Sequence, residues 1–333
     1  MDVIWLLIGL GLLLIGGEVL VRGAVAIAER LGIPPLIVGL TIVALGTSAP
    51  ELTVAIQAAL SGAPGIVTGS VVGSNIANIL LVLGATAAIQ PVRASLKVVN
   101  RDGMLLVVAT TFLAGMAITG AIPPLLGVVM ILCFAAYTFY SYWSERVVAR
   151  RMAHDTVPEL AAEEIGTYKG VPAKLRVSIP VFIAGCAAVI FGAQFLVDAA
   201  INIARAIGVS DAVIGLTMVA IGTSLPELTI SVIAATRGHS DVALGNVIGS
   251  NLSNILVILG ITSLFGTIPI GGQIAWFDVW VMLVATVVLI PVMVSDRSIS
   301  RLEGAVFLTC YVTYIVSLFL GIPEAIMRSA GVG

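Results

Sequence analysis

Long apolar runs broken by short polar stretches occupy the whole 333-residue chain. A bilayer crossing needs about 20 apolar residues. Runs of that length predict ten helices at roughly 3–30, 34–60, 65–89, 102–120, 122–145, 175–206, 210–236, 241–266, 275–295 and 301–321. The first and sixth are longer than a crossing requires, which predicts tilt or bending. The only long polar connector, roughly 146–174, contains VPELAAEEIG. It is too short for a folded domain and reads as a solvated linker. The expected architecture is an all-α membrane protein with five helices in 1–145, a linker at 146–174 and five helices in 175–333.

Within this apolar background one unit is written twice. GLTIVALGTSAPELT at 39–53 matches GLTMVAIGTSLPELT at 215–229, and GSNIANILLVLG at 73–84 matches GSNLSNILVILG at 249–260. A single offset of 176 residues relates all four blocks, so Glu51 corresponds to Glu227 and Asn78 to Asn254. The two repeat cores span 39–84 and 215–260.

Lysine and arginine choose an orientation. With the N-terminus outside, thirteen of them face the cytoplasm: Arg30, Arg93, Lys97, Arg101, Arg146, Arg150, Arg151, Lys169, Lys174, Arg176, Arg237, Arg297 and Arg301. Only Arg205 and Arg328 then lie outside, with Arg22 in the membrane. That bias predicts both termini outside and the linker in the cytoplasm. Five spans is an odd number, so the two copies must run in opposite directions. Inverted repeats of this kind are a hallmark of secondary transporters, whose sites lie near the midplane where the repeats meet.

The repeated block also carries the chemistry. Pro50 cannot donate a backbone hydrogen bond, and with Gly46 it should break the second span, freeing carbonyls such as that of Ala44. Such carbonyls are tolerated at membrane depth only where they line a polar cavity or meet an ion. Thr47 and Ser48 sit four and three residues before Glu51, on one helical face. Ala220, Thr223, Ser224, Pro226 and Glu227 repeat the arrangement in the seventh span. The third and eighth spans add Ser74 with Asn78 and Ser250 with Asn254, each pair spaced i, i+4. A lone small-xxx-small motif would indicate a helix interface. A duplicated intramembrane carboxylate in a proline-broken helix indicates an ion site instead.

All these donors are oxygens, the ligand set of a hard cation such as Ca²⁺ or Na⁺ rather than of zinc or copper. One ionised carboxylate at the bilayer centre costs about 3 kcal/mol or more. Two close together repel unless one Ca²⁺, two Na⁺ or two protons neutralise them. A site that must always hold about two positive charges, and can hold different ions, is an exchanger by its electrostatics.

Composition narrows the alternatives. Charged residues make up 10% of the chain and hydrophobic ones 59%, against about a quarter charged in soluble proteins. Mean hydropathy is +1.15. No basic tract suits nucleic acid, no cofactor-binding pattern is complete, and no obligate protein partner is evident; the bilayer is the expected environment. Cys133, Cys186 and Cys310 lie singly in apolar helices and define neither a metal site nor a disulfide framework. No Ser–Lys or Asp–Asp pair suggests an intramembrane enzyme. Glu18 and Arg22, spaced i, i+4, read as a local ion pair, with an Arg22–Asp198 contact across the pseudo-twofold as the alternative. Asp278 reads as an anion at a helix N-terminus, and Trp5, Trp143 and Trp276 as interface anchors.

At GTS-x-PE and GSN-x-x-N the chain resembles the calcium/cation antiporter superfamily, nearest its prokaryotic sodium/calcium exchanger-like branch. The resemblance covers both repeats and the ten-span layout. It implies that Glu51 and Glu227 are the central calcium carboxylates and that Thr47 and Thr223 supply backbone carbonyls. It implies that Ser48, Ser224, Ser74 and Ser250 line flanking sodium sites with the carbonyls of Ala44 and Ala220, and that Asn78 and Asn254 occupy the middle position. It also implies sliding of the first and sixth spans against the other eight. Several relatives carry Asp where this chain has Asn254. With Asn at both middle positions the site has two carboxylates rather than three, so Na⁺/Ca²⁺ exchange, H⁺/Ca²⁺ exchange and K⁺-dependent exchange stay open. A passive cation channel is the alternative of a different class. The resemblance places the chain in the cell (inner) membrane, with Ca²⁺ and Na⁺ as substrates and no resident cofactor.

Overall fold

The computed structural model describes residues 2–155, 174–206 and 220–329. The helices are α1 (Asp2–Leu31), α2 (Leu36–Thr47 and Ala49–Leu60), α3 (Pro64–Ile89), α4 (Leu96–Thr119), α5 (Pro124–Asp155) and α6 (Leu175–Ala206). They continue as α7 (Ala220–Thr223 and Leu225–Thr236), α8 (Ser240–Ser263), α9 (Ile274–Ser295), α10 (Arg301–Phe319) and the short α11 (Ile322–Ser329). Among the described residues eight helices are each long and apolar enough to cross a membrane, and the bent pair in α2 makes a ninth. The seventh expected span begins outside the described residues, as does most of the 146–174 linker.

Two boundaries differ from the sequence reading. Helix α5 runs ten residues past its expected end at 145, because Glu145, Arg146, Ala149, Arg150, Arg151 and Met152 are good helix formers. Hydropathy marks the end of the membrane, not of the helix. Helix α4 starts at Leu96 rather than 102, because Ser95 caps it by accepting from the Val98 N–H at 3.3 Å.

Two pairs of short strands tie the repeats together. β1 (Val92–Arg93), after α3, pairs antiparallel with β4 (Ser298–Ile299), between α9 and α10. β2 (Ala121–Ile122), after α4, pairs with β3 (Ile268–Pro269), after α8. Connectors that pair must lie on one side of the membrane, so an even number of crossings separates them. α5 to α8 must therefore make an even number, which counts α7 as a crossing. β1 and β3 occupy equivalent places in the two copies, and five spans lie between them. They face opposite sides, which is the inverted relation expected from the odd number of spans per copy.

Burial singles out the centre. In α8, 94% of the most apolar 18-residue window is buried inside the protein, against 17% in α10. The outer helices instead present large apolar side chains such as Ile15, Ile118 and Leu125, suited to lipid. Trp5, Trp143 and Trp276 are exposed in the same way. α1 and α6 pack backbone to backbone. A Cβ at Gly9 would lie 2.6 Å from Leu196 N, and one at Gly185 2.5 Å from Leu20 N.

Several of the other buried or half-buried charges are paired. Arg22 meets Glu18 at 2.7 Å, and Arg237 from the end of α7 reaches the other Glu18 oxygen at 2.9 Å. Asp102 is fully buried. It accepts two bonds from Arg101, at 2.7 and 2.9 Å, and one from the Tyr137 hydroxyl at 2.8 Å. Its equivalent Asp278 accepts from Gln273 at 3.1 Å and from Tyr314 at 3.1 Å, so side chains as well as the helix end hold that anion. Tyr137→Phe removes a bond to a buried charge. It should lower stability by about 1.5–3 kcal/mol, read as a fall in thermal midpoint.

Candidate ion-binding site

The break in α2 falls at Ser48, whose backbone (φ −82°, ψ 5°) is not helical, and the two halves meet at 46°. Pro50 and Glu51 stand in the first turn of the second half, so the carboxylate sits at the positive end of a half-helix. In α7, Ser224 (φ −94°, ψ 1°), Pro226 and Glu227 repeat this. The Ala44 carbonyl is not freed as expected. Ala44 O accepts from Ser48 N at 3.0 Å and from the Thr47 hydroxyl at 3.2 Å. Pro50 lacks the N–H that would serve the carbonyl four residues earlier, that of Gly46, and the break falls between the Gly46 and Pro50 expected to cause it.

In α3 and α8 the helix widens into a π turn that starts at Asn78 (Asn78–Leu83) and at Asn254 (Asn254–Ile258). Hydropathy carries no trace of this. An inserted π residue shifts the helical face, and such turns are frequent at functional sites.

Four helices thus bring the predicted side chains together. Glu51 and Glu227 are buried and close enough to interact electrostatically, and Thr47 and Ser48 of α2 lie beside the Glu227 carboxylate. Ser74, Asn78, Ser224, Ser250 and Asn254 are buried too. Thr223 is half-buried in the short helix Ala220–Thr223. Seven of these side chains bury an oxygen that makes no hydrogen bond: Glu51 Oε2, Glu227 Oε2, Ser48 Oγ, Ser224 Oγ, Ser250 Oγ, Asn78 Oδ1 and Asn254 Oδ1. Six of the seven form pairs under the 176-residue offset. An unsatisfied buried polar group costs about 1–3 kcal/mol, so seven in one place call for partners from outside the protein's own side chains, and the two carboxylates among them favour a cation. Among the described residues no cluster of three or more His, Cys, Asp or Glu could hold a metal. The donor set is two carboxylates and neutral oxygens, fitted to a hard cation carrying about two charges.

Three further residues belong to this assembly. Asn75 and Asn251 bridge α3 and α8. Asn254 Nδ2 donates to Asn75 Oδ1 at 3.1 Å, and Asn78 Nδ2 to Asn251 Oδ1 at 3.4 Å. Both lie in the duplicated GSN blocks, a signal that marked them without giving them a role. Asn246 of α8 accepts from the Thr47 hydroxyl at 3.5 Å and donates to Ser231 Oγ at 3.1 Å and to Glu227 O at 3.4 Å. Its counterpart in the first copy is Ser70, so no repeat signal marks it.

Two broken helices crossing two glycine-rich ones, with paired carboxylates enclosed between them, define a helical membrane transporter rather than an enzyme. A model of the sodium/calcium exchanger protein family matches residues 1–143 and 177–320, and the chain belongs to this family. It is 37% identical over 325 residues to the putative antiporter CaxA of Alkalimonas amylolytica, covering 95% of this chain and 98% of the relative. It is 33% identical over 341 residues to the sodium/calcium exchanger MaX1 of Methanosarcina acetivorans, covering 94% and 97%. Its fold is that of the sodium-calcium exchanger NCX_Mj, solved after soaking with 2.5 mM Na⁺ and 0.1 mM Ca²⁺. The TM-score is 0.79 at 33% identity, with 95% of this chain and 98% of that one covered.

Proposed function

We propose that this chain is a secondary antiporter that exchanges Na⁺ for Ca²⁺ across the cell membrane by alternating access. The observation that carries the reading is the set of seven unpartnered buried oxygens around Glu51 and Glu227. Two carboxylates balance one Ca²⁺ or two Na⁺. Asn78 and Asn254 contribute oxygen without charge, so the site need not bind protons to stay neutral. The ligands are Glu51, Glu227, Ser48, Ser224, Ser74, Ser250, Asn78 and Asn254, with backbone carbonyls at the two helix breaks completing the shell.

Coupling follows from the charge. The doubly ionised empty site is unstable in a low-dielectric interior, so the protein changes sides only when one ion set or the other neutralises it. The moving part is the α1–α6 pair. Its two helices are locked backbone to backbone, whereas α1 meets α7 through Gly17 against the ends of Thr229 and Ile233 side chains, and α6 meets α2 through Cys186 at Gly46. Flexible contacts of this kind allow sliding. Both termini face outside and the linker faces the cytoplasm of a cell (inner) membrane, as the basic residues dictate. A relative in Escherichia coli, 32% identical over 260 residues, is named an inner membrane protein.

The test is ⁴⁵Ca²⁺ uptake into proteoliposomes loaded with Na⁺, with K⁺ and pH clamped. Collapsing the Na⁺ gradient should reduce uptake at least about tenfold, since the gradient is the only driving force. Equal uptake driven by a pH gradient without Na⁺ would select H⁺ coupling. Flux that needs no counter-ion would select a channel.

A further inference from the structure

An amide side chain can turn either its oxygen or its NH₂ towards a cation, and only the oxygen binds. What decides the orientation of Asn254 is legible in the hydrogen bonds behind it. The Asn251 backbone carbonyl can only accept, and Asn75 Nδ2 donates to it at 3.4 Å. That commits Asn75 Oδ1 to face the other way, where it accepts from Asn254 Nδ2 at 3.1 Å. Asn254 Oδ1 is then the atom left over, buried and without a partner. Turning the Asn254 amide over would set oxygen against oxygen at Asn75. A backbone carbonyl thus fixes the polarity of a side chain two bonds away. On the other side of the pseudo-twofold, Asn78 Nδ2 donates to Asn251 Oδ1 at 3.4 Å, but Asn251 Nδ2 is buried without a partner. The second relay lacks the carbonyl anchor that the first one has.

We propose that Asn75 is a positioning residue of the cation site, holding the Asn254 amide with its oxygen towards the ion, and that Asn251 does the same for Asn78 through a weaker relay. This rests on the exchange reading above and adds to it the residue that makes a neutral amide a dependable cation ligand. Neither asparagine touches the ion. Each acts through the amide of the opposite repeat, so the two halves of the site set one another's polarity.

The test separates positioning from packing. In the wild type, Na⁺-gradient-driven Ca²⁺ uptake gives a reference Ca²⁺ KM, and its absence would defeat the exchange reading rather than this one. Asn75→Leu, similar in size but without polar atoms, should raise the Ca²⁺ KM about tenfold with Vmax changed less than about threefold, the mark of lost ground-state binding. Asn251→Leu should raise it less. Asn75→Asp, which when protonated accepts from Asn254 and donates to the Asn251 carbonyl as the amide does, should keep KM within about threefold of wild type, and this variant carries the test if the leucine variant does not elute as a folded species. Calorimetric Ca²⁺ titration of purified protein then closes a double-mutant cycle. Asn75→Leu should cost no further affinity on an Asn254→Ala background, and its full tenfold on an Asn78→Ala background. Equal losses on both backgrounds, or an Asn75→Asp variant as impaired as Asn75→Leu, would overturn the proposal.

Discussion

Glu51→Gln and Glu227→Gln should each reduce Na⁺-gradient-driven ⁴⁵Ca²⁺ uptake by about a hundredfold or more. Each carboxylate supplies half of the charge that a divalent ion needs when it leaves water. Removing one partner of a buried charge pair costs about 3–5 kcal/mol, which is about two to four decades in affinity. Glutamine keeps the shape and one oxygen, so the loss reports charge rather than packing. Stability should move the opposite way. Without ions, either variant should unfold at a higher temperature than the wild type, because Glu51 and Glu227 no longer repel one another. Added Ca²⁺ should then raise the midpoint of the wild type and not of the variants, since only a ligand that binds the folded state shifts it. Uptake within about threefold of wild type in either variant would move the site elsewhere.

Gly249→Leu should prevent α8 from seating against α2. A Cβ at Gly249 would fall 2.4 Å from Leu40 O, 2.7 Å from Leu40 Cα and 2.8 Å from Ala44 Cβ. Two of these atoms are backbone, and α2 cannot retreat without carrying Ser48 and Glu51 away from Glu227. Overpacking a core ordinarily costs about 1–3 kcal/mol, and displacing a helix that carries half of the site costs more. The expected result is a thermal midpoint lower by about 10 °C or an aggregated elution profile, together with lost Ca²⁺ binding. Gly115→Leu is the control. Its Cβ would meet nothing within 4 Å, on an exposed face of α4, and its midpoint should stay close to that of the wild type. An unchanged Gly249→Leu variant would mean that α2 and α8 are less closely packed than their backbones indicate.

Much of the architecture was legible because membrane helices obey simple rules. Hydropathy fails where it measures lipid contact rather than helix, at the cytoplasmic continuation of α5 and the early start of α4. It is also silent on α11, whose eight residues mix Ile322, Ile326 and Met327 with Glu324 and Arg328. At the site, duplication alone marks Glu51, Glu227, Ser48, Ser224, Asn78 and Asn254. It could not pick out Asn246, because Ser70 stands in its place. It also marked the Ala44 carbonyl as freed, whereas the Ser48 N–H and the Thr47 hydroxyl both donate to it.

The sequence by itself determined the spans, the inverted duplication and an oxygen-only, doubly acidic centre. Each of these follows from the period, the parity or the chemical type of residues along one chain. Only the tertiary structure decided which oxygens face inward. That choice rests on hydrogen bonds between residues 173 to 199 positions apart and on two π turns that shift a helical face by one residue. An asparagine in a sequence is equally donor and acceptor. For Asn254, the Asn75 oxygen packed beside it takes the NH₂ and leaves the amide oxygen unpaired.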